Sequence, residues 1–171
     1  SYRARSDIPG IREYLNELDT NLSLLDSSIR TGNSMADAIL NSKVSLAKAR
    51  EIDVRVDAHI PVKLKISEID LCCILGNLFD NAIDASMALP PQNRLIRVYM
   101  DMKGSRLYIS FTNFTSQKKL GKLGRVFATT KGLGHGLGLS RIENIVEKHD
   151  GYLSFNSEDG AFTAEILLPQ E

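Results

Sequence analysis

The sequence predicts an α/β two-layer sandwich, a mixed sheet with helices on one face, preceded by an amphipathic helix. Three observations carry that class. Two pairs of alternating segments are each joined by a turn signal: RLIRVYMDM with RLYISFTNF across Lys103-Gly104-Ser105, and YLSFNS with AFTAEILLP across Glu158-Asp159-Gly160. Such pairs read as antiparallel hairpins. Segments with helical apolar spacing stand before and between them, and strands paired by hairpins with helices set between the pairs pack those helices on one face. Finally, 171 residues with 43% hydrophobic and 25% charged content are enough for one well-buried core.

From Ile11 to about Ile29 the apolar residues Tyr14, Leu15, Leu18, Leu22, Leu25 and Ile29 recur at helical spacing between polar positions, which predicts an amphipathic helix seeking a partner. Thr31-Gly32-Asn33 breaks it, and Ser34 opens a second helix through Ala36, Ile39, Leu40, Val44 and Leu46 to about Arg50. The alternation in DVRVDAHI is a strand signal closed by Pro61. Ser67 caps the next helix, with Asp70 three residues on as a looser capping box, and Pro90-Pro91 ends it. The first hairpin follows. The stretch from Phe114 to Gly134 has no convincing period. A third helix is predicted from about Gly138 to His149, with Gly151 placed to terminate it, and the second hairpin completes the order. No internal repeat or low-complexity segment is present.

Lys plus Arg and Asp plus Glu both count 21, so no basic excess points to nucleic acid or to an anionic membrane surface. The sequence contains no apolar run long enough to span a bilayer and no leader pattern, so this segment is expected to be soluble. Its only cysteines, Cys72 and Cys73, are adjacent and lack the spaced partners of a disulfide framework or zinc site. They read as buried, reduced thiols suited to the cytoplasm.

The chemistry concentrates in two stretches. In LGNLFDNAIDAS, Asn77, Asp80, Asn81 and Asp84 share one helical face while Leu75, Leu78, Phe79, Ala82 and Ile83 turn away. A merely solvated face would use Lys, Glu, Gln or Arg, because Asn and Asp are poorer helix formers by up to about 0.7 kcal/mol each. In TTKGLGHGLGLS, four glycines alternate from Gly132 to Gly138 ahead of a helix. Glycine clusters of this kind either form a flexible surface loop or let backbone approach something closely, and a helix N-terminus behind one offers N–H groups to phosphate. Thr130 and Lys131 add a hydroxyl and a charge. The pattern is not GxxxxGK[ST] and does not follow a strand as a dinucleotide-binding turn would.

Taken together, NLFDNAIDA and GHGLGLSRIENIVEKHDG, separated by a strand pair and a long loop, resemble the N-box and second glycine box of the gyrase, MutL and histidine-kinase ATPase superfamily. The resemblance covers roughly Asn33 to Pro169, and CILGNLFDNAIDA with TTKGLGHGLGL is most similar to the Agr-type peptide-sensing sensor kinases. It implies the Bergerat-type ATPase fold, ATP and Mg2+ as cofactors, and Asn81 as the magnesium ligand. A hard cation of this kind takes oxygen ligands and keeps several waters. It also implies that Asn77, one turn earlier, and Asp80 or Asp84 hold water or the metal's outer shell. Thr130, Lys131, Gly134, His135, Gly136, Leu137 and Gly138 would lie about the phosphates. Asn113 falls where the family's first glycine box carries the Asp that receives the adenine amine, and no glycines follow it; an amide oxygen can still accept there. Phe127 resembles the family's F-box phenylalanine.

The gyrase-like members carry a water-activating Glu at the position of Asn77. An amide lacks that basicity, and with it a general-base contribution of about 10²–10⁴-fold. The resemblance therefore implies transfer of the γ-phosphate to a histidine, with Asn77 and Lys131 in the catalytic site and transfer resting on positioning and charge stabilisation. His59, His135 and His149 have strand, loop and helix-end explanations, so the acceptor is expected upstream of Ser1. Residues 1–32 would then be the C-terminal part of a dimerisation hairpin and 33–171 the ATP-binding domain of a homodimeric, membrane-anchored kinase acting in the cytoplasm on a response regulator. An anti-sigma-factor-like serine kinase and a catalytically silent ATP-sensing scaffold are the alternatives.

Overall fold

The computed structural model describes residues 29–116, 121–122 and 133–171, with backbone alone at 121–122 and 133–137. The predicted N-terminal helix, except Ile29, lies outside the described residues, as does most of the stretch between Phe114 and Gly134. The elements in order are α1 (Ser34–Ala49), β1 (Asp53–Ala58), α2 (Glu68–Met87), a 3-10 turn at Pro91–Asn93, β2 (Leu95–Lys103), β3 (Arg106–Phe114), β4 (Gly121–Lys122), α3 (Leu133–Lys148), β5 (Tyr152–Glu158) and β6 (Ala161–Pro169). The sheet runs β1-β2-β3-β6-β5-β4. β1 and β2 are parallel, joined through α2, and all other pairs are antiparallel, which makes the sheet mixed as expected.

Both hairpins form. Lys103 pairs with Arg106 and Glu158 with Ala161 across two-residue turns in which Gly104 and Gly160 take φ of 62° and 79°. Those conformations suit residues without a Cβ. Alternation then places Ile96, Val98 and Met100 of β2, Leu107, Ile109 and Phe111 of β3, Phe155 of β5 and Ile166 and Leu168 of β6 on one buried face. α2 lies in the middle of the helical layer over that face, flanked by α1 and α3. Its Phe79 meets Phe111 edge-on, ring centroids 5.2 Å apart. The opposite sheet face is half-buried and more polar: Tyr108 donates to Glu165 Oε1 at 3.1 Å, and the hydroxyls of Thr112 and Thr163 lie 2.9 Å apart.

Residues 29–33 form a strap on this sandwich. Asn41 of α1 bonds both the N–H and the carbonyl of Ile29 at 3.1 Å, and Asp37 accepts from the Thr31 N–H and hydroxyl at 2.7 and 2.6 Å. Asn33 caps α1 by accepting from Ala36 N–H and also donates to Pro61 and Val62 carbonyls. Thr31, Asn33 and Asn41 are buried polar side chains, and these bonds satisfy them.

Three local expectations are corrected. β1 ends at Ala58, so His59 follows the strand, its backbone donating to Met100 O and its exposed ring 3.1 Å from Asp57. α3 starts at Leu133, not near Gly138, so Gly134, Gly136 and Gly138 belong to helical backbone and not to a preceding loop. Beyond α3 it is Asp150 that takes the left-handed conformation, at φ 53°. Gly151 is required for a different reason: a Cβ there would lie 2.6 Å from Leu167 O. Among the described residues no helix is long and apolar enough to cross a membrane.

Candidate functional site

α2 is built to hold its polar face still. The Ser67 hydroxyl caps it by accepting from Asp70 N–H at 3.1 Å, and Glu68 and Asp70 in the first turn complement the helix dipole. Leu71, Ile74, Leu75, Leu78, Phe79, Ala82 and Ile83 are buried, which fixes the rotation of the helix and turns Asn77, Asp80, Asn81 and Asp84 away from the sheet.

These four residues do not share one environment. Asn77 donates its Nδ2 to the Cys73 carbonyl one turn back at 2.7 Å, with Cys73 Sγ at 3.3 Å. That bond fixes the amide orientation and turns Oδ1 towards α3, where a Cβ on Gly138 would sit only 2.9 Å away. A glycine in a helix costs about 1 kcal/mol relative to alanine; at Gly138 the missing Cβ is what lets α3 approach Asn77. Asp80 points to the other flank, its Oδ1 2.6 Å from Lys43 Nζ of α1. Asp80 thus pairs with α1. Asp84 is exposed on the same helix.

Asn81 differs again. Its Nδ2 is buried and has no hydrogen-bond partner among the described residues, a condition that costs about 1–3 kcal/mol. Which atom of an amide is oxygen follows from its hydrogen bonds, and none fixes Asn81; turned over, the same position presents Oδ1. A sheltered, unpartnered amide one turn after Asn77 fits a ligand for a hard cation or for phosphate-bound water, so the residues present suit Mg2+.

At the end of β3, Asn113 is 3% exposed and stands on the helix-facing side in the row of Ile109 and Phe111. Its Nδ2 donates to Phe114 O at 3.0 Å, which leaves Oδ1 as the group able to receive an amine. The backbone of Gly134, His135, Gly136 and Leu137 is helical, but their side chains, together with Thr130, Lys131 and Phe127, lie outside the described residues. The structure thus brings Asn77 against Gly138 with Asn81 on the same helix face. Lys43 and His149 were not predicted as partners of this helix. His149 Nε2 donates to Asp70 Oδ2 at 2.9 Å and Lys148 Nζ lies 3.1 Å from the same oxygen. These two bonds, His149 first, hold the Asp70 carboxyl below the usual carboxylate range.

A helical layer over one sheet face, an amide-bearing helix within it and a glycine-started helix that meets Asn77 define a two-layer α/β sandwich. Residues 66–169 match the family model described as a GHKL domain. The chain belongs to that family. It is 33% identical over 128 residues to the sensor histidine kinase ZraS of Escherichia coli (strain K12), covering 72% of this chain and 27% of that protein. It is 28% identical over 147 residues to the probable C4-dicarboxylate sensor kinase of Halalkalibacterium halodurans, covering 81% of this chain and 28% of that one. This chain thus spans little more than a quarter of either relative. Among solved structures, the catalytic domain of histidine kinase ThkA superposes with a TM-score of 0.65 at 18% identity, over 82% of this chain and 93% of that one. The Acinetobacter baumannii histidine kinase AdeS gives 0.62 at 14% identity, over 99% and 84%. These likenesses share the fold.

Proposed function

We propose that this chain is the ATP-binding catalytic part of a sensor histidine kinase, which passes the ATP γ-phosphate to a histidine upstream of Ser1 for relay to a response regulator. The observation that carries the reading is the amide of Asn77 met by Gly138 of α3, with the buried, unpartnered Nδ2 of Asn81 one turn further along α2. It offers amide groups to a nucleotide and, at Asn77, no base to water: Asn77 cannot take a proton, and its Nδ2 is already bonded within α2. Asn81 would hold Mg2+, whose charge would be set against that of the phosphates. Lys131 would add a second positive charge, Thr130, Gly134, His135, Gly136 and Leu137 would lie along the phosphates, Asp84 would order water at the rim, and the Asn113 oxygen would receive the adenine amine. With an amide at Asn77 in place of a water-activating carboxylate, the domain would hold ATP until imidazole arrives, and transfer would rest on alignment.

The segments CILGNLFDNAIDA and TTKGLGHGLGL support placing it in the Agr-type peptide-sensing group. Residues 1–32 would then end a dimerisation hairpin ahead of the ATP-binding domain at 33–171, in a homodimer anchored to the membrane through upstream segments and working in the cytoplasm. Neither a serine-kinase anti-sigma factor nor a silent scaffold is favoured, since relatives over most of this chain are named sensor kinases. The test is to titrate ATP and ADP with and without magnesium and then add the natural upstream helix with radiolabelled ATP. Acid-labile phosphate on that helix supports the reading; stable label on His59, His135 or His149, or none anywhere, would overturn it.

A further inference from the structure

We propose that Asp70 and His149 are positioning residues for the nucleotide site, tying together the ends of α2 and α3 that lie away from it so that Asn77 and Gly138 meet at a fixed separation. The inference rests on the reading of Asn77, Asn81 and Gly138 as that site.

The two helices run antiparallel: Asp70, in the first turn of α2, meets His149 just after α3, and Asn77 meets Gly138 further along both. Of the two partners of Asp70 Oδ2, Lys148 is 66% exposed and contributes as a screened surface charge. The His149 and Asp70 side chains are only 16% and 13% exposed, so their 2.9 Å bond is sheltered. Each partner is also held by its own backbone. Asp70 N–H is bonded to the Ser67 cap. His149 N–H donates to Ile145 O, Asp150 turns left-handed, and Gly151 N–H donates to Val146 O at 2.8 Å. Gly151 then sits so close to β6 that no side chain fits. The imidazole is therefore carried on a corner seated against the sheet, and through it α2 is referenced to the sheet at a point remote from the site.

The length of the lever gives the tie its effect. From Gly138 to Lys148, α3 spans about 15 Å at roughly 1.5 Å per residue. A rotation of about 5° around the tie moves Gly138 by roughly 1.3 Å, and a misplacement of about 1 Å in a reacting site can lower a rate by about 10²-fold. Binding, which tolerates more slack than reaction, should fall by less.

The experiment measures Mg·ATP affinity by calorimetry, and Tm, on the full 171-residue chain. His149→Ala and Asp70→Ala are expected to weaken binding about tenfold, and the double variant no more than either alone, because the same His149–Asp70 bond is lost in each case. His149→Gln, which keeps a donor at the position of Nε2, should recover most of the affinity. Asn41→Ala, which loosens the strap on α1, serves as the stability control: at a similar fall in Tm its affinity should stay within about twofold of the parent. Affinities unchanged in the His149 and Asp70 variants would overturn the proposal alone, as would an equal loss in Asn41→Ala. A parent that binds no ATP would overturn the site reading and the tie with it.

Discussion

Gly138→Ala separates two effects that a helix glycine usually confounds. Gly138 has no left-handed backbone conformation, so alanine is permitted there and should contribute about 0.8–1.0 kcal/mol of helix propensity. The added Cβ, however, would lie 2.9 Å from Asn77 Oδ1 and 3.5 Å from its Cγ. Relief requires either that Asn77 swing away, breaking the 2.7 Å bond from Nδ2 to Cys73 O, or that α3 move off α2. The first costs about 0.5–1.5 kcal/mol and the second about 1–3 kcal/mol of packing. Asn77 is a short side chain that can rotate once that one bond is given up, so the first route wins, and the gain and loss nearly cancel. Net stability should therefore change by less than about 1 kcal/mol while the amide face is disturbed.

Urea denaturation and calorimetry on the same samples test this. Gly138→Ala should melt near the parent yet bind Mg·ATP about tenfold more weakly, in line with a displacement of order 1 Å at the site. In an Asn77→Ala background the obstacle is gone, so adding Gly138→Ala should stabilise by about 0.8–1.0 kcal/mol. The cycle should show a coupling of about 1 kcal/mol. Full stabilisation by Gly138→Ala in the parent, with ATP affinity unchanged, would refute the close approach as the reason for the glycine.

Asn81→Ala should leave the fold intact, since it removes an unpartnered amide, but should abolish the magnesium dependence of ATP binding; equal magnesium response in mutant and parent would count against the ligand assignment. Gly151→Ala should destabilise by about 1–3 kcal/mol, because the atoms in its way include the Leu167 carbonyl oxygen at 2.6 Å, which is backbone and cannot rotate aside; a melt unchanged from the parent would remove that close approach from the account. Asp70 has a folded pKa below its ordinary value of 3.8, so the stability it contributes is complete above that value and is lost as pH falls through the folded one. The parent should accordingly exceed Asp70→Asn in stability at neutral pH, with the difference closing in acid; a gap that persists unchanged at the lowest pH would contradict this linkage.

What was legible in the sequence was local. The hairpins could be read because Gly104 and Gly160 each sit between strands whose apolar residues alternate in phase, and phase alone decides which face of a strand is buried. α2 could be read because Ser67 marks its start and Leu75, Leu78, Phe79, Ala82 and Ile83 mark its inner side. Within the site, the four short polar residues of α2 were found by composition and period. Their division was not: Asp80 turns to Lys43 of α1 and Asn77 to Gly138 of α3, and helix partners thirty-seven and sixty-one positions apart leave no periodic trace in either segment. The start of α3 was misplaced because glycines at alternate positions lower helix propensity by about 1 kcal/mol each, while what offsets it at Gly138 is a contact with another helix.

The same division explains the histidines. Sequence position gave His149 a sufficient reason in the dipole at a helix C-terminus, where a cation gains about 0.3–1 kcal/mol. The structure supplies a partner as well, and the partner is the residue in the looser capping-box position after Ser67. Asp70 therefore serves two purposes that no local pattern could reveal as one: its backbone completes the cap that starts α2, and its carboxylate receives the residue that follows α3. A carboxylate three residues into a helix is ordinary; what sets this one apart is the imidazole brought to it from seventy-nine positions away by a corner that Asp150 and Gly151 turn against β6. Asp70 thus joins the start of the amide-bearing helix to the end of the glycine-bearing one, and the separation of Asn77 from Gly138 follows from how that join is seated on the sheet.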